Sequence, residues 1–147
     1  TGSGYARRLR LGAWHTDHVN REIAPASIAP PAANYAHAVL VQQPQAWLHT
    51  SGVVPTAPDG SVPADIADQA DQVWNNLLAM LTEAGMSPTD VVSVTTYVVV
   101  EHMASLPVVM AARDRHLGGH RVASTLVTVP ALARPEWKME IALVAAR

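Results

Sequence analysis

The sequence predicts an α+β protein of one domain, in which two helices cover one face of a mostly antiparallel sheet, and three observations lead there. The 147 residues are 49% hydrophobic and 15% charged, enough to bury a core without staples. One strong helical repeat stands between β-branched or alternating runs, in the order β-β-α-β-α-β-β. The sheet runs are apolar on both faces while the helices suffice for one, so the other face is expected to meet another subunit.

The elements follow in order. Residues 1 to about 34 are rich in Gly, Pro, Ala and Arg, and Ala24-Pro25-Ala26-Ser27-Ile28-Ala29-Pro30-Pro31 suits neither helix nor central strand. Residues 1–22 read as an N-terminal arm, opening on tag-like Thr1-Gly2-Ser3-Gly4, and 23–147 as the domain. Ala38 to Val41 and Ala46 to Thr50 flank Gln42-Gln43-Pro44-Gln45, the layout of an antiparallel hairpin. Pro55, Pro58, Asp59-Gly60 and Pro63 mark a loop into the first helix. Its Ile66, Ala70, Val73, Trp74, Leu77, Leu81 and Ala84 recur at helical spacing, with Asp65 and Asp68 at its start and Gly85 at its end. Asp90 to Val100 alternates as a long strand. A weaker helix runs from about Ser105 to Leu117, with Pro107 in its first turn and Gly118-Gly119 closing it. Val122 to Val129 and Trp137 to Val144 are the final strands, joined by Ala131 to Glu136.

Inside the last strand stands one carboxylate, Glu140. Among strand residues it is costly unless paired, hydrogen-bonded or facing a wet cleft. Two readings stay open: a general base handling a water, or an ion pair at a strand edge or subunit contact. Thr50-Ser51-Gly52 ends the second strand, and its glycine either marks a turn or lets a small molecule reach backbone N–H groups that polarise a C=O or C=N bond.

Several function classes drop out. A net charge of −2, with only Arg7, Arg8 and Arg10 clustered, gives nucleic acid no basic face. No apolar run spans a bilayer and no cysteine is present, so a soluble cytoplasmic protein without thiolate chemistry is expected. No Gly-rich phosphate loop, Gly-x-Ser-x-Gly elbow or His-Glu-x-x-His pair occurs, and neither cofactor nor metal is expected. His15-Thr16-Asp17-His18 has ligand-like spacing but lies in the irregular arm. His37 and His49 sit on the paired strands near Tyr35 and Ser51, where a cleft is plausible, whereas His102, His116 and His120 are dispersed.

A series of short matches gives these residues a context. Ala29 to Val39, His49 to Pro55, Pro58-Asp59-Gly60, Asp65-Ile66 with Gln69 and Gln72, Asn75-Asn76-Leu77, Ala84-Gly85, Asp90 to Tyr97, Arg121 to Thr125, Leu132 and Glu140-Ile141 occur in that order. Together they resemble the YjgF/YER057c/UK114 family, the Rid proteins, called L-PSP endoribonucleases in older usage, over about residues 23–146. The resemblance implies a chorismate-mutase-like fold assembled as a homotrimer around a central sheet barrel. Its inter-subunit clefts would take small enamine or imine acids and hydrolyse them to 2-oxo acids and ammonia. It also implies roles for Tyr35 and the Ser51-Gly52 backbone in the pocket, and for Glu140 in handling the water.

The family's carboxylate-binding arginine, however, falls at Ser124, and a cleft asparagine falls at Val109. Serine makes no bidentate pair with a carboxylate. Losing such a clamp removes roughly 2–4 kcal/mol of binding, so a pocket of Ser124, Leu126 and Val109 favours a less acidic substrate. Arg121 sits at an odd offset from Ser124, hence on the opposite strand face, and Arg134 in the turn is the remaining candidate. The sequence thus points to a divergent imine or enamine hydrolase, or alternatively to a non-catalytic trimer binding a hydrophobic metabolite or protein partner.

Overall fold

Helix α1, Ile66–Glu83, begins where Asp65, extended at φ −86° and ψ 138°, accepts a hydrogen bond from the Ala67 N–H at 2.7 Å. It ends at Gly85, whose φ of +70° is the left-handed turn a helix C-terminus uses. These contacts come from a computed structural model, which describes residues 19–147. The apolar repeat of α1 is buried as its spacing predicts, Val73, Trp74 and Leu77 completely. Gln69 shares that face because its amide is satisfied: it donates to the carbonyls of Pro63 and Glu136 and accepts from the Lys138 N–H, at 2.8, 2.9 and 2.9 Å. This buried amide fastens the entry of α1 to the segment just before Glu140.

The remaining elements are β1 (Val19–Ile23), β2 (Ala38–Gln42), β3 (Trp47–His49), β4 (Val91–Val99), α2 (Leu106–His116), β5 (Ala123–Val129) and β6 (Met139–Ala146). A four-stranded sheet has the order β3-β6-β4-β5. β6 is antiparallel to both its neighbours, and β4 runs parallel to β5, with α2 as the crossover between them. The even residues of β6, Glu140, Ala142 and Val144, face away from the helices, opposite Tyr97, Thr95 and Ser93 of β4. Met139, Ile141, Leu143 and Ala145 enter the core with α1.

The expected hairpin of β2 with β3 does not form. β2 pairs with β1 in a separate two-stranded ribbon, β3 pairs with β6, and Gln43 between them has a φ of +50°. A short loop makes two strands able to pair, but burial decides which partner each takes. β1 itself was not expected: it straddles the anticipated boundary at 22/23, and its Val-Asn-Arg-Glu-Ile sequence carries little strand signal. The final two strands are also not neighbours, since β4 lies between β5 and β6.

The ribbon is tied to one end of the sheet. Ala36 bridges Ala123 in parallel, donating to the Val122 carbonyl at 2.8 Å, and the Asn20 amide reaches the Ala146 and Asp90 carbonyls at 3.1 and 3.4 Å. Among the described residues, no helix is long and apolar enough to cross a membrane. The His15-Thr16-Asp17-His18 motif lies outside the described residues.

Candidate functional site

Glu140 is half-buried on the sheet face turned away from the helices, opposite Tyr97. Its carboxylate lies directly against Gly52: a Cβ at that glycine would stand 2.6 Å from Glu140 Oε1. Gly52 does not have a positive φ, so its role is space rather than conformation. No described residue donates a hydrogen bond or an ion pair to the Glu140 carboxylate. The ion-pair reading of this residue therefore finds no partner within the described chain.

The chain beside it is a bulge. The Thr50 N–H donates to the Leu143 carbonyl at 3.0 Å, and Val53 and Ile141 exchange both backbone bonds at 2.7 and 3.1 Å. Ser51 and Gly52 thus oppose the single residue Ala142. Thr50 repairs the ladder with its side chain, its Oγ1 accepting from the Leu143 N–H and donating to the Ser51 carbonyl, at 3.0 and 2.8 Å. The N–H groups of Ser51 and Gly52 are left with no acceptor among the described residues, next to a lone carboxylate. Asn76 of α1 braces the following segment by donating to the Val54 and Thr56 carbonyls at 3.2 and 3.1 Å, and is itself held by Gln72 at 2.9 Å.

A groove of about 780 Å³ runs along this segment, with Leu48, Ser51, Gly52 and Val54 on one side and Asn76 and Met80 on the other. It is mostly apolar and opens on the α1 side. Glu140 does not line it; the carboxylate lies across the Gly52 backbone.

The other expected residues gather elsewhere. Ser124 pairs with Val94 and Leu126 with Thr96, which puts both on the helix-facing side of β5, opposite in facing to Glu140. Val109 is completely buried on α2 as part of the core, so it is withdrawn from any open lining. Leu126 packs against the same core. Beside Ser124 lies a cation that the sequence reading did not consider: Arg113 Nη1 donates to Ser124 Oγ at 3.0 Å. Arg113 is 3% exposed, and its other donors go to the Asn34 carbonyl at 3.1 Å and to Asp114 Oδ1 at 3.0 and 2.9 Å. Its charge is therefore already paired. The sequence hid it in the run Arg113-Asp114-Arg115-His116, which reads as a solvated face. The signal that finds it is the spacing Val109, Ala112, Arg113, one helical stripe.

Tyr35 lies next to this second group. Its carbonyl accepts from Arg121 Nη2 and Nε at 2.6 and 3.2 Å, and its ring meets His37 edge-on at 5.8 Å. With Ala36 beside β5, Tyr35 is three strand positions from β6, roughly 14 Å across the sheet from Glu140. Arg121 is engaged there with Tyr35 and with Glu22 at 3.2 Å, and Arg134 lies over Trp137, 5.5 Å from the ring centroid. His37 contacts the Ala29 carbonyl at 2.8 Å, while His49 stacks with Trp47. One chain thus carries two separated groups: Ser51, Gly52 and Glu140, and Tyr35, Ser124 and Leu126 with Arg113.

Two carboxyls away from both groups are held below their ordinary range. Hydrogen bonds from Ser61 lower Asp59, in the turn before α1. Asp71 of α1 is lowered chiefly by the hydrogen bond from His116, and also by Arg115.

Comparison with known proteins gives these features a family context. Residues 26–147 match the family model described as Endoribonuclease L-PSP. A RutC family protein of Haemophilus influenzae is 37% identical over 86 residues, 56% of this chain and 59% of that protein. A 2-iminobutanoate/2-iminopropanoate deaminase of Escherichia coli is 38% identical over 78 residues, 52% of this chain and 56% of that protein. The matches thus span between half and three fifths of these relatives' length. Among solved structures, the Rid-family protein YyfB from Yersinia pestis, described as of unknown function, superposes with a TM-score of 0.79 at 33% identity, covering 87% of this chain and 98% of its own.

Proposed function

The chain belongs to the endoribonuclease L-PSP family, the YjgF or Rid proteins, and from that premise we propose that it hydrolyses an imine or enamine in a cleft completed by a second copy of itself. The observation that carries this reading is the unpaired, half-buried Glu140 carboxylate packed on Gly52, beside the free N–H groups of a bulge. Glu140 takes a proton from water as the water oxygen bonds to the C=N carbon, and the Ser51 and Gly52 N–H groups polarise the substrate in the same pocket. The resulting carbinolamine collapses as its C–N bond breaks. Glu140 gives the first proton to the nitrogen as the carbinolamine forms and carries the hydroxyl proton to the nitrogen as the C–N bond breaks, so the products are a carbonyl compound and ammonia. The likeness to the Escherichia coli deaminase supports this class of reaction.

The separation of the two groups supports an assembly. A chain that holds Glu140 on one sheet face and Ser124 on the other builds a single cleft only when one copy's first group meets another copy's second. We take the assembly to be a closed homotrimer. The substrate differs from the family's usual acids, because Ser124 offers a hydroxyl and the Arg113 charge beside it is spent on Asp114. A neutral or aromatic imine fits such a cleft, and the lack of cysteine suits a reducing cytoplasm.

Ammonia release tests this directly, from a dehydratase-generated imino acid and from a neutral imine, with wild type beside Glu140→Ala. The neutral substrate is expected to turn over faster, and the variant to fall to background with both. Equal rates for the two proteins would sink the hydrolase. The second reading, a non-catalytic trimer binding a hydrophobic metabolite or protein, is favoured by one observation: the large apolar groove excludes Glu140.

A further inference from the structure

The loop before α1 and the turn before β6 enclose a second, smaller pocket of about 320 Å³, lined by Thr56, Gly60, Val62, Arg134, Glu136 and Trp137. It meets the apolar groove at Thr56 but shares no residue with either candidate group. Both of its walls are fixed. On the loop side the Ala57 N–H donates to the Ser61 carbonyl at 2.8 Å, and Asp59 Oδ1 accepts from the Ser61 N–H and hydroxyl at 2.9 and 2.6 Å. On the other side the Trp137 N–H closes a turn on the Arg134 carbonyl at 3.2 Å, and the buried Gln69 amide holds the Glu136 carbonyl and the Lys138 N–H, either side of Trp137.

These fixed walls carry polar groups with capacity to spare. The exposed Arg134 guanidinium makes no hydrogen bond among the described residues, and its ion pair with Glu136 is a loose one at 3.9 Å. The Glu136 carboxylate likewise accepts no hydrogen bond there, and the Trp137 Nε1–H is enclosed without an acceptor. A plain anion in this pocket would meet Glu136, and a plain cation would meet Arg134. A molecule carrying both charges a short distance apart suits the pair.

We propose that this pocket binds a free α-amino acid as its zwitterion, carboxylate on Arg134, ammonium on Glu136 and an apolar side chain against Val62 and the Trp137 ring. The two charged groups of such a ligand sit on one carbon, which matches the short gap between Arg134 and Glu136. As the guanidinium turns from the indole to the carboxylate, the ring face is freed for the ligand side chain, and the carboxylate supplies the acceptor that the indole N–H lacks. The volume suits a molecule of leucine or phenylalanine size. Arg134 is thus a carboxylate clamp, but for a ligand away from Glu140. The site requires neither hydrolysis by Glu140 nor any particular assembly.

The indole N–H signals of the four tryptophans in a nitrogen-15 NMR spectrum of the full chain report on this site, and Trp137→Phe identifies the signal of Trp137 by its loss. Titration with L-phenylalanine or L-leucine to about 10 mM is expected to move that signal to saturation. N-acetyl-L-phenylalanine and L-phenylalanine amide, each missing one charge, should bind at least about tenfold more weakly. Arg134→Ala and Glu136→Gln, both at exposed positions and checked by thermal melting, should each weaken L-phenylalanine by about tenfold or more, while Glu140→Ala binds it as wild type does. A Trp137 signal that stays still with both amino acids overturns the proposal. So do equal affinities for the free and capped ligands, unchanged affinity in Arg134→Ala and Glu136→Gln, or binding lost in Glu140→Ala, which would place the ligand in the cleft. None of these readouts depends on ammonia release.

Discussion

At Gly52 the requirement is for absence. A methyl group there meets Glu140 Oε1 at 2.6 Å, and either the carboxylate or the bulge must move. Gly52→Ala is therefore expected to lower ammonia release by more than about tenfold and stability by about 1–3 kcal/mol, the usual cost of overpacking. Initial rates and urea unfolding of the same preparation separate the two effects. An active, fully stable Gly52→Ala protein would show that the contact between these residues has no catalytic meaning. Arg113 presents the opposite case, a side chain whose presence satisfies others. Arg113→Ala leaves Ser124 Oγ and the Asn34 carbonyl short of a donor and Asp114 without its cation. We expect a loss of about 2–4 kcal/mol, read as a shift in urea midpoint at unchanged slope. Because Asp114 is partly exposed, the value should fall toward the lower end.

At the scale of elements, α1 and α2 are clasped by Asp71, which meets Arg115 at 2.5 Å and His116 at 2.9 Å, while His116 stacks on Trp74. The Asp71 carboxyl is held below its ordinary value of 3.8, so folding stabilises its ionised form. That contribution is complete above the unfolded value and disappears as pH falls through the lower folded one. Wild type should therefore lose more stability than Asp71→Asn on acidification below about pH 4, and the difference should stay under about 1 kcal/mol because the carboxyl is 44% exposed. Thermal melts of both proteins from pH 6 to pH 3 measure it, and parallel curves would refute the clasp.

The elements also show what a sequence conveys. The repeat of α1 and the alternation of β4 and β6 report burial, and burial is a local property written at a fixed spacing. Glu140 stood out for the same reason, as a charge where the pattern demands an apolar residue. Strand partnership is not local. Nothing in Trp47-Leu48-His49 distinguishes β2 from β6 as its neighbour, so the hairpin expectation failed there. Arg113 escaped notice because a buried guanidinium depends on acceptors distant in sequence, Asn34 and Ser124, which appear only once the chain is folded.

For the whole molecule, the split of the candidate residues over two sheet faces has a consequence that activity can read. If each cleft takes Glu140 from one copy and the Ser124 surface from another, two inactive variants should rescue one another. Glu140→Ala and Ser124→Trp chains, unfolded and refolded together in equal amounts, should regain activity in about a quarter of their clefts, the random share with both native halves. Each variant refolded alone should remain inactive. Mixtures no more active than their components would mean that one chain holds the complete site.

The place of β6 in the sheet sets a condition on synthesis. Although last in order among the strands, it lies between β3 and β4 and is the neighbour through which Val53, Thr50 and Ala46 are also held. While a nascent chain is still short of Met139, β3 has no partner, the Ser51-Gly52 bulge has no opposing residue, and α1 has lost the apolar residues of β6 beneath it. The sheet thus closes only once Met139–Ala146 has been made, after every other strand that it joins. Until then its apolar strands depend on chaperones or on speed.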